Sequence, residues 1–257
     1  MMTPATLSDL AGRLVDLSLP IRPGMIPVMP DGDPLLETLQ EHDTSALGVR
    51  ETRLRMSLHV GTHMDYPAHV DAGGPVAFPD DPMADSLFPG ATLTLAYLMA
   101  FDDKAGSAPF RDGTFEWGEE ITEAEIDAWF ERFDAAHPGL DRSAIRGAVL
   151  RTGWNDGWFT PGFFDRGSPT LSDGAARALM ARGLDFVGSD FLLPIAPGRT
   201  HDIVMKGSHR YQVENLWNLG ALSGPVIGLL LTPLKIPGAE GLPARVHGID
   251  LDLAEAE

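Results

Sequence analysis

The run His59-Val60-Gly61-Thr62-His63-Met64-Asp65-Tyr66-Pro67-Ala68-His69 constrains this chain more than any other. Three histidines and a carboxylate fall inside it, and these are the nitrogen and oxygen ligand types that bind zinc, manganese or iron. The residues leading in alternate: Leu54, Met56, Leu58 and Val60 on one side, Arg53, Arg55, Ser57 and His59 on the other. That pattern predicts a half-buried strand with His59 on its polar face. A helical reading of the HxxxH spacing fails, because Gly61 is a poor helix residue and Pro67 holds Tyr66 extended. On a regular strand, residues four apart sit roughly 13 Å from each other. Two ligands of one ion lie only about 4 Å apart, given bonds of about 2.1 Å. If both histidines bind one metal, the chain must therefore bend at Gly61-Thr62, with Asp65 and His69 on the loop that leaves the bend.

With 257 residues, 44% of them hydrophobic, the chain can bury a sizeable interior, and one domain over 1–257 is the economical expectation. The 28 glycines and 21 prolines are spread along it, so the fold is expected to be rich in turns. There is no cysteine, so any metal site must use nitrogen and oxygen ligands. A net charge of −18 argues against nucleic-acid binding and against adhesion to anionic membranes. Residues 1–13 lack a signal-peptide hydrophobic region, and the apolar run Val226–Leu231 is too short to span a bilayer. The expectation is a cytoplasmic protein acting on a small molecule.

Further elements follow from local pattern. Strands are expected at 14–20, 91–99, 147–151, 184–188 and 226–231. A helix over 122–134 opens with a Thr122/Glu125 capping box and carries Ile126, Trp129, Phe130 and Phe133 on one face. A second helix runs from a Ser172 cap to about Arg182, with Gly183 as its stop. The strand–helix–strand order from 147 to 188 implies parallel pairing. Asp190 follows a strand end, where it could approach a site or cap the following turn. The Pro23–Pro27 loop could wall a pocket or merely connect. An aromatic, glycine-broken segment holds Trp154, Trp158, Phe159, Phe163 and Phe164; it could be a lid, a subunit contact or a satellite core. Trp154, Trp158 and Phe159 are its candidate substrate contacts.

The motif HxGTHxDxPxH, matched here at His59, Gly61, Thr62, His63, Asp65, Pro67 and His69, resembles the signature of the cyclase superfamily that includes bacterial kynurenine formamidases and isatin hydrolases. The segments Asp16-Leu17-Ser18, Gly32-Asp33-Pro34, 233–238 and 243–245 resemble the same family. The resemblance implies an α/β fold with a mixed β-sheet or barrel core and flanking helices, of the swivelling β/β/α type, and a homo-oligomer, dimer or tetramer. It implies that His59, His63 and Asp65 are metal ligands and His69 the catalytic acid–base. It also implies a second metal held by Glu214 and a later histidine, His201 rather than His209, although the spacing to Glu214 is off by about one residue. The isatin hydrolases resemble a one-manganese variation, so one or two ions, zinc or manganese, are compatible with the chain.

Two histidines and an aspartate leave open positions on a metal, as catalytic sites do. The expected reaction is hydrolysis of an amide C–N bond of a small aromatic substrate by metal-activated water, with His69 as general acid–base. A cyclic amide or lactone is the rival substrate, and a non-catalytic metal-binding accessory protein the rival class.

Overall fold

A computed structural model describes residues 4–22, 36–44, 49–80, 90–104, 117–160, 163, 167–193 and 198–251. The Pro23–Pro27 loop, Gly32-Asp33-Pro34, Pro161, Gly162 and Phe164 lie outside the described residues.

After helix α1 (Pro4–Arg13), the strands are β1 (Val15–Asp16), β2 (Leu36–Thr44), β3 (Val49–Met56), β4 (His63–Asp65), β5 (Thr92–Ala100) and β6 (Trp117–Ile121). Helix α2 (Glu123–Ala136), β7 (Ile145–Arg151), β8 (Ser168–Leu171), α3 (Asp173–Ala181) and β9 (Phe186–Ser189) come next. The chain ends through α4 (Thr200–Met205), β10 (Tyr211–Glu214), β11 (Val226–Pro233) and β12 (Gly241–Asp250). The main sheet runs β1-β12-β11-β5-β7-β9-β10-β4, and a further pairing of β12 with β4 closes seven of these strands into a barrel. The segment from β5 through β7 and β9 to β10 is parallel, and the remaining pairs are antiparallel. This is the mixed barrel core expected from the sequence.

Alternation along each barrel strand divides two hydrophobic clusters. Met64, Ala96, Leu98, Val149, Phe186, Val213, Leu229 and Leu242 meet in one. Tyr97, Met99, Ala148, Leu150 and Val187 point to the other, where α2 and α3 cover them. The Thr122 cap and its reciprocal Glu125 bond form as the sequence predicts, and Ile126, Phe130 and Phe133 are buried. Each such side chain contributes about 1.5–3 kcal/mol on burial. Tyr97 meets the rings of Trp129, Phe130 and Phe133 edge-on. Ser172 caps α3 by accepting from the Ala175 N–H.

β6 and β8 form a small parallel sheet of their own, which the sequence pattern did not single out. The strand expected at 14–20 is reduced to Val15–Asp16. The strand before the histidine motif pairs with β2 and stops at Met56, and Leu54 is half exposed. The Ser57 hydroxyl accepts from the His59 N–H, a local turn that competes with strand pairing. His59 therefore sits on a turn instead of a strand face.

Candidate metal centre

The chain bends at Gly61 as the sequence demands, but Asp65 then lies on strand β4 and not on a loop. Gly61 adopts φ +65°, a left-handed conformation that glycine accepts without steric cost. The Thr62 hydroxyl donates to the Asn215 carbonyl at 2.6 Å and accepts from the Leu19 N–H at 2.8 Å. One hydroxyl thus ties the bend to the exits of β1 and β10. Pro67 then opens a single 3-10 turn that ends on His69.

β4 lies between β10 and β12, and its register builds the site. Glu214 is paired with His63, Gln212 and Gly241 with Asp65. Residues directly opposite in an antiparallel pair share a face, so His63, Asp65 and Glu214 stand together while Met64 and Val213 enter the hydrophobic cluster behind them. Helix α4 brings the fully buried His201 onto the same group.

The resulting distances are short. His63 Nε2 lies 3.5 Å from Asp65 Oδ1 and 3.8 Å from Glu214 Oε2. His201 Nε2 lies 3.4 Å from Asp65 Oδ2 and 3.1 Å from Glu214 Oε1. His59 Nδ1 is 2.8 Å from Asp65 Oδ1. His69 is half-buried, its ring 4.3 Å from that of His59 and 5.7 Å from that of His201. Ligand atoms of His59, His63 and Asp65 lie within 4.8 Å of one another, as do those of Asp65, His69 and His201. His209, the other histidine considered from sequence, is exposed.

At His59, Asp65 and His201 burial disfavours charge, yet opposite charges outweigh it. Burial lowers the pKa of His59, but Asp65 and Glu240 raise it to about 9. Burial likewise opposes charge on His201, which Glu214 and Asp65 bring up to about 10. Asp65 is held well below the usual carboxylate range by His63 and His59 despite its burial. His69 moves the other way, lowered chiefly by burial, with Asp65 partly compensating. It is thereby suited to accept a proton at neutral pH.

The donor set fits a divalent cation. Nitrogen and oxygen atoms 3–4 Å apart are the edges of a coordination polyhedron with bonds of about 2.1 Å. His63 Nδ1 meets the Gly61 carbonyl at 2.8 Å, so its proton belongs there and its Nε2 lone pair faces the carboxylates. Glu214 Oε1 is buried without a well-aligned hydrogen bond, which an ion would relieve.

The aromatic candidates lie in a different setting. Trp154 and Trp158 are buried, Trp154 donates from Nε1 to the Gly167 carbonyl, and both pack on Phe163. Phe159 is 40% exposed, with the Arg22 guanidinium 4.3 Å over its ring. Asp190 accepts from the Thr152 N–H and hydroxyl and from the Gly153 N–H, so it caps the turn after β7 and not the turn that follows it in sequence. Sequence reasoning missed Glu240, whose carboxylate approaches His59 Nε2 at 3.3 Å. Nothing in the sequence around it signalled chemistry.

The chain belongs to the family described as Putative cyclase, which matches residues 15–193. Among solved structures, isatin hydrolase A from Labrenzia aggregata bound to benzyl benzoate superposes with a TM-score of 0.68 at 20% identity, covering 96% of this chain and 98% of that one. Isatin hydrolase A from Ralstonia solanacearum gives 0.66 at 21%, covering 98% and 99%. A potential metal-dependent hydrolase with cyclase activity gives 0.61 at 21%, covering 93% and 98%. These likenesses establish the shared fold. No curated protein matches the sequence. No helix among the described residues is long and apolar enough to cross a membrane.

Proposed function

We propose that this protein is a metal-dependent hydrolase that cleaves an amide C–N bond of a small aromatic substrate, an arylformamide first of all. The observation that carries the reading is the convergence of His59, His63, Asp65, His201 and Glu214 at 2.8–3.8 Å with His69 alongside. In it, His59, His63 and Asp65 would hold one divalent ion, and Asp65, His201 and Glu214 are the candidate ligands of a second. Zinc or manganese would supply Lewis acidity and lower the pKa of a water.

The chain's own residues do the rest. Asp65 and Glu214 concentrate negative charge that draws a cation inward. A neutral His69 imidazole accepts a proton from the attacking water through its unprotonated ring nitrogen. It returns that proton to the departing nitrogen as the carbonyl carbon–nitrogen bond breaks, leaving a carboxylic acid and an amine. Burial of His63, Asp65 and His201 keeps bulk water from competing. Phe159, 40% exposed with the Arg22 guanidinium over its ring, is the aromatic contact we assign to a planar substrate, while Trp154 and Trp158 are buried against Phe163.

A second reading, opening of a cyclic amide, is favoured by the isatin hydrolases among the structural neighbours. Side-by-side turnover of N-formylkynurenine and isatin separates the two. A non-catalytic metal-binding role is tested by His69→Ala. Turnover should fall about 10²–10⁴-fold with metal content unchanged. Equal turnover would remove His69 from the reaction. We also place the protein in the cytoplasm as a homo-oligomer, which the exposed Leu93, Leu234 and Ile236 support and sedimentation would test.

A further inference from the structure

His59 differs from His63 in the way its ring is held. His63 directs Nδ1 to a backbone carbonyl and Nε2 to the carboxylates. His59 does the reverse: Nδ1 faces Asp65 at 2.8 Å, and Nε2 faces Glu240 Oε1 at 3.3 Å. A neutral imidazole has one N–H and one lone pair. For Nδ1 to present its lone pair among the ligands, Nε2 must carry the proton, and that proton needs an acceptor.

The start of β12 is built around this ring. Gly241 lies opposite Asp65 in the β4 pairing, and a Cβ there would overlap the His59 imidazole. Its absence lets the ring rest against the strand. The Glu240 carbonyl accepts from the Tyr66 N–H at 3.0 Å, tying the same turn to the residue after Asp65. Backbone, missing side chain and carboxylate therefore meet the motif at three adjacent places.

We propose that Glu240 is a positioning residue that accepts a hydrogen bond from the His59 Nε2–H, fixes the tautomer that leaves Nδ1 available to a divalent ion, and so sets the affinity of the site. The inference rests on the metal-dependent reading above. It places control of the first ligand on the hairpin between β11 and β12, outside the histidine motif. Carboxylates behind ligating histidines orient the ring and raise its basicity, and removing one costs about 10–100-fold in metal affinity.

His59, His69 and Glu240 also have ligand atoms within 4.8 Å of one another. An outer ion there would need His59 to offer lone pairs from both nitrogens and so to lose its last proton. A hydrogen bond from the Nε2–H to Glu240 keeps that proton on the ring and avoids this demand.

The test uses the full chain as wild type, Glu240→Gln and Glu240→Ala. Zinc affinity is measured by competition with a chromophoric chelator, and the cobalt-substituted proteins are compared by visible absorption. Glu240→Ala should bind zinc about 10–100-fold more weakly and shift the cobalt bands. Glu240→Gln, whose amide oxygen still accepts a hydrogen bond, should recover most of the affinity. Excess zinc should restore turnover to Glu240→Ala. Wild-type affinity and an unchanged cobalt spectrum in Glu240→Ala would overturn this inference alone. So would a second bound zinc that vanishes in that variant, since it would make Glu240 a ligand. A wild-type protein that binds no metal would overturn the hydrolase reading as well.

Discussion

Two stretches of this chain look chemically loaded, and the structure treats them in opposite ways. The histidine motif with β10 and α4 gathers buried polar groups that face one another across 2.8–3.8 Å. The aromatic segment from Trp154 to Phe163 gathers rings at centroid distances of 4.5–6.0 Å, and the Trp154 N–H is satisfied by a backbone carbonyl. Burying aromatic rings is favourable on its own and needs no further purpose. Burying three imidazoles beside two carboxyl groups is costly unless something compensates. The difference separates a core from a site more reliably than residue type does.

The comparison breaks first at Asp65, which touches His59, His63 and His201. Asp65→Ala should abolish stoichiometric metal binding and reduce turnover beyond the ~100-fold upper range seen for indirect partners. Metal analysis after dialysis, beside turnover, checks it. Retained metal and turnover would show that the cluster is only an ion-pair network. On the aromatic side, Trp154→Ala should cost about 3–5 kcal/mol of stability while metal stoichiometry stays at the wild-type value. Denaturant unfolding and metal analysis together make that distinction.

Asp190 sharpens the comparison, because it is a buried carboxyl outside the cluster. Burial pushes it from an ordinary 3.8 up to about 7, against the hydrogen bonds from Thr152 and Gly153 that pull it down. A carboxyl raised on folding contributes stability in full below its unfolded value and loses it as pH rises through its folded value. Wild-type stability should therefore decline between about pH 4 and 7 relative to Asp190→Asn. That variant should itself cost about 1–3 kcal/mol, because its amide sets a donor against the Thr152 N–H. Melting curves across this range test both statements. Phe159→Ala should have the smallest effect, changing stability by less than ~1 kcal/mol and raising KM for an aromatic substrate with kcat little altered.

The sequence exposed the local half of this site. His59, His63, Asp65 and His69 were legible because the chemistry, the bend at Gly61 and the stop at Pro67 all sit within one short run. The capping box of α2 and the strand–helix–strand order before Asp190 were legible for the same reason. His201 came only through resemblance to a family, because a six-residue helix carries too little periodicity to declare itself. Glu240 was invisible. An acidic residue flanked by Ala239 and Gly241 reads as solvated turn, and its partner is 181 positions away. The strand face assigned to His59 failed because the alternation continued past Met56 while the Ser57 hydroxyl diverted the backbone. Periodicity reports which side chains prefer burial, and hydrogen bonds from short polar side chains decide where pairing ends.

Anomalous diffraction from crystals soaked in manganese tests the central claim most directly. The account predicts a peak about 2.1–2.3 Å from His59 Nδ1, His63 Nε2 and an Asp65 oxygen. No peak at that position, with Asp65 still paired to imidazole alone, would contradict it.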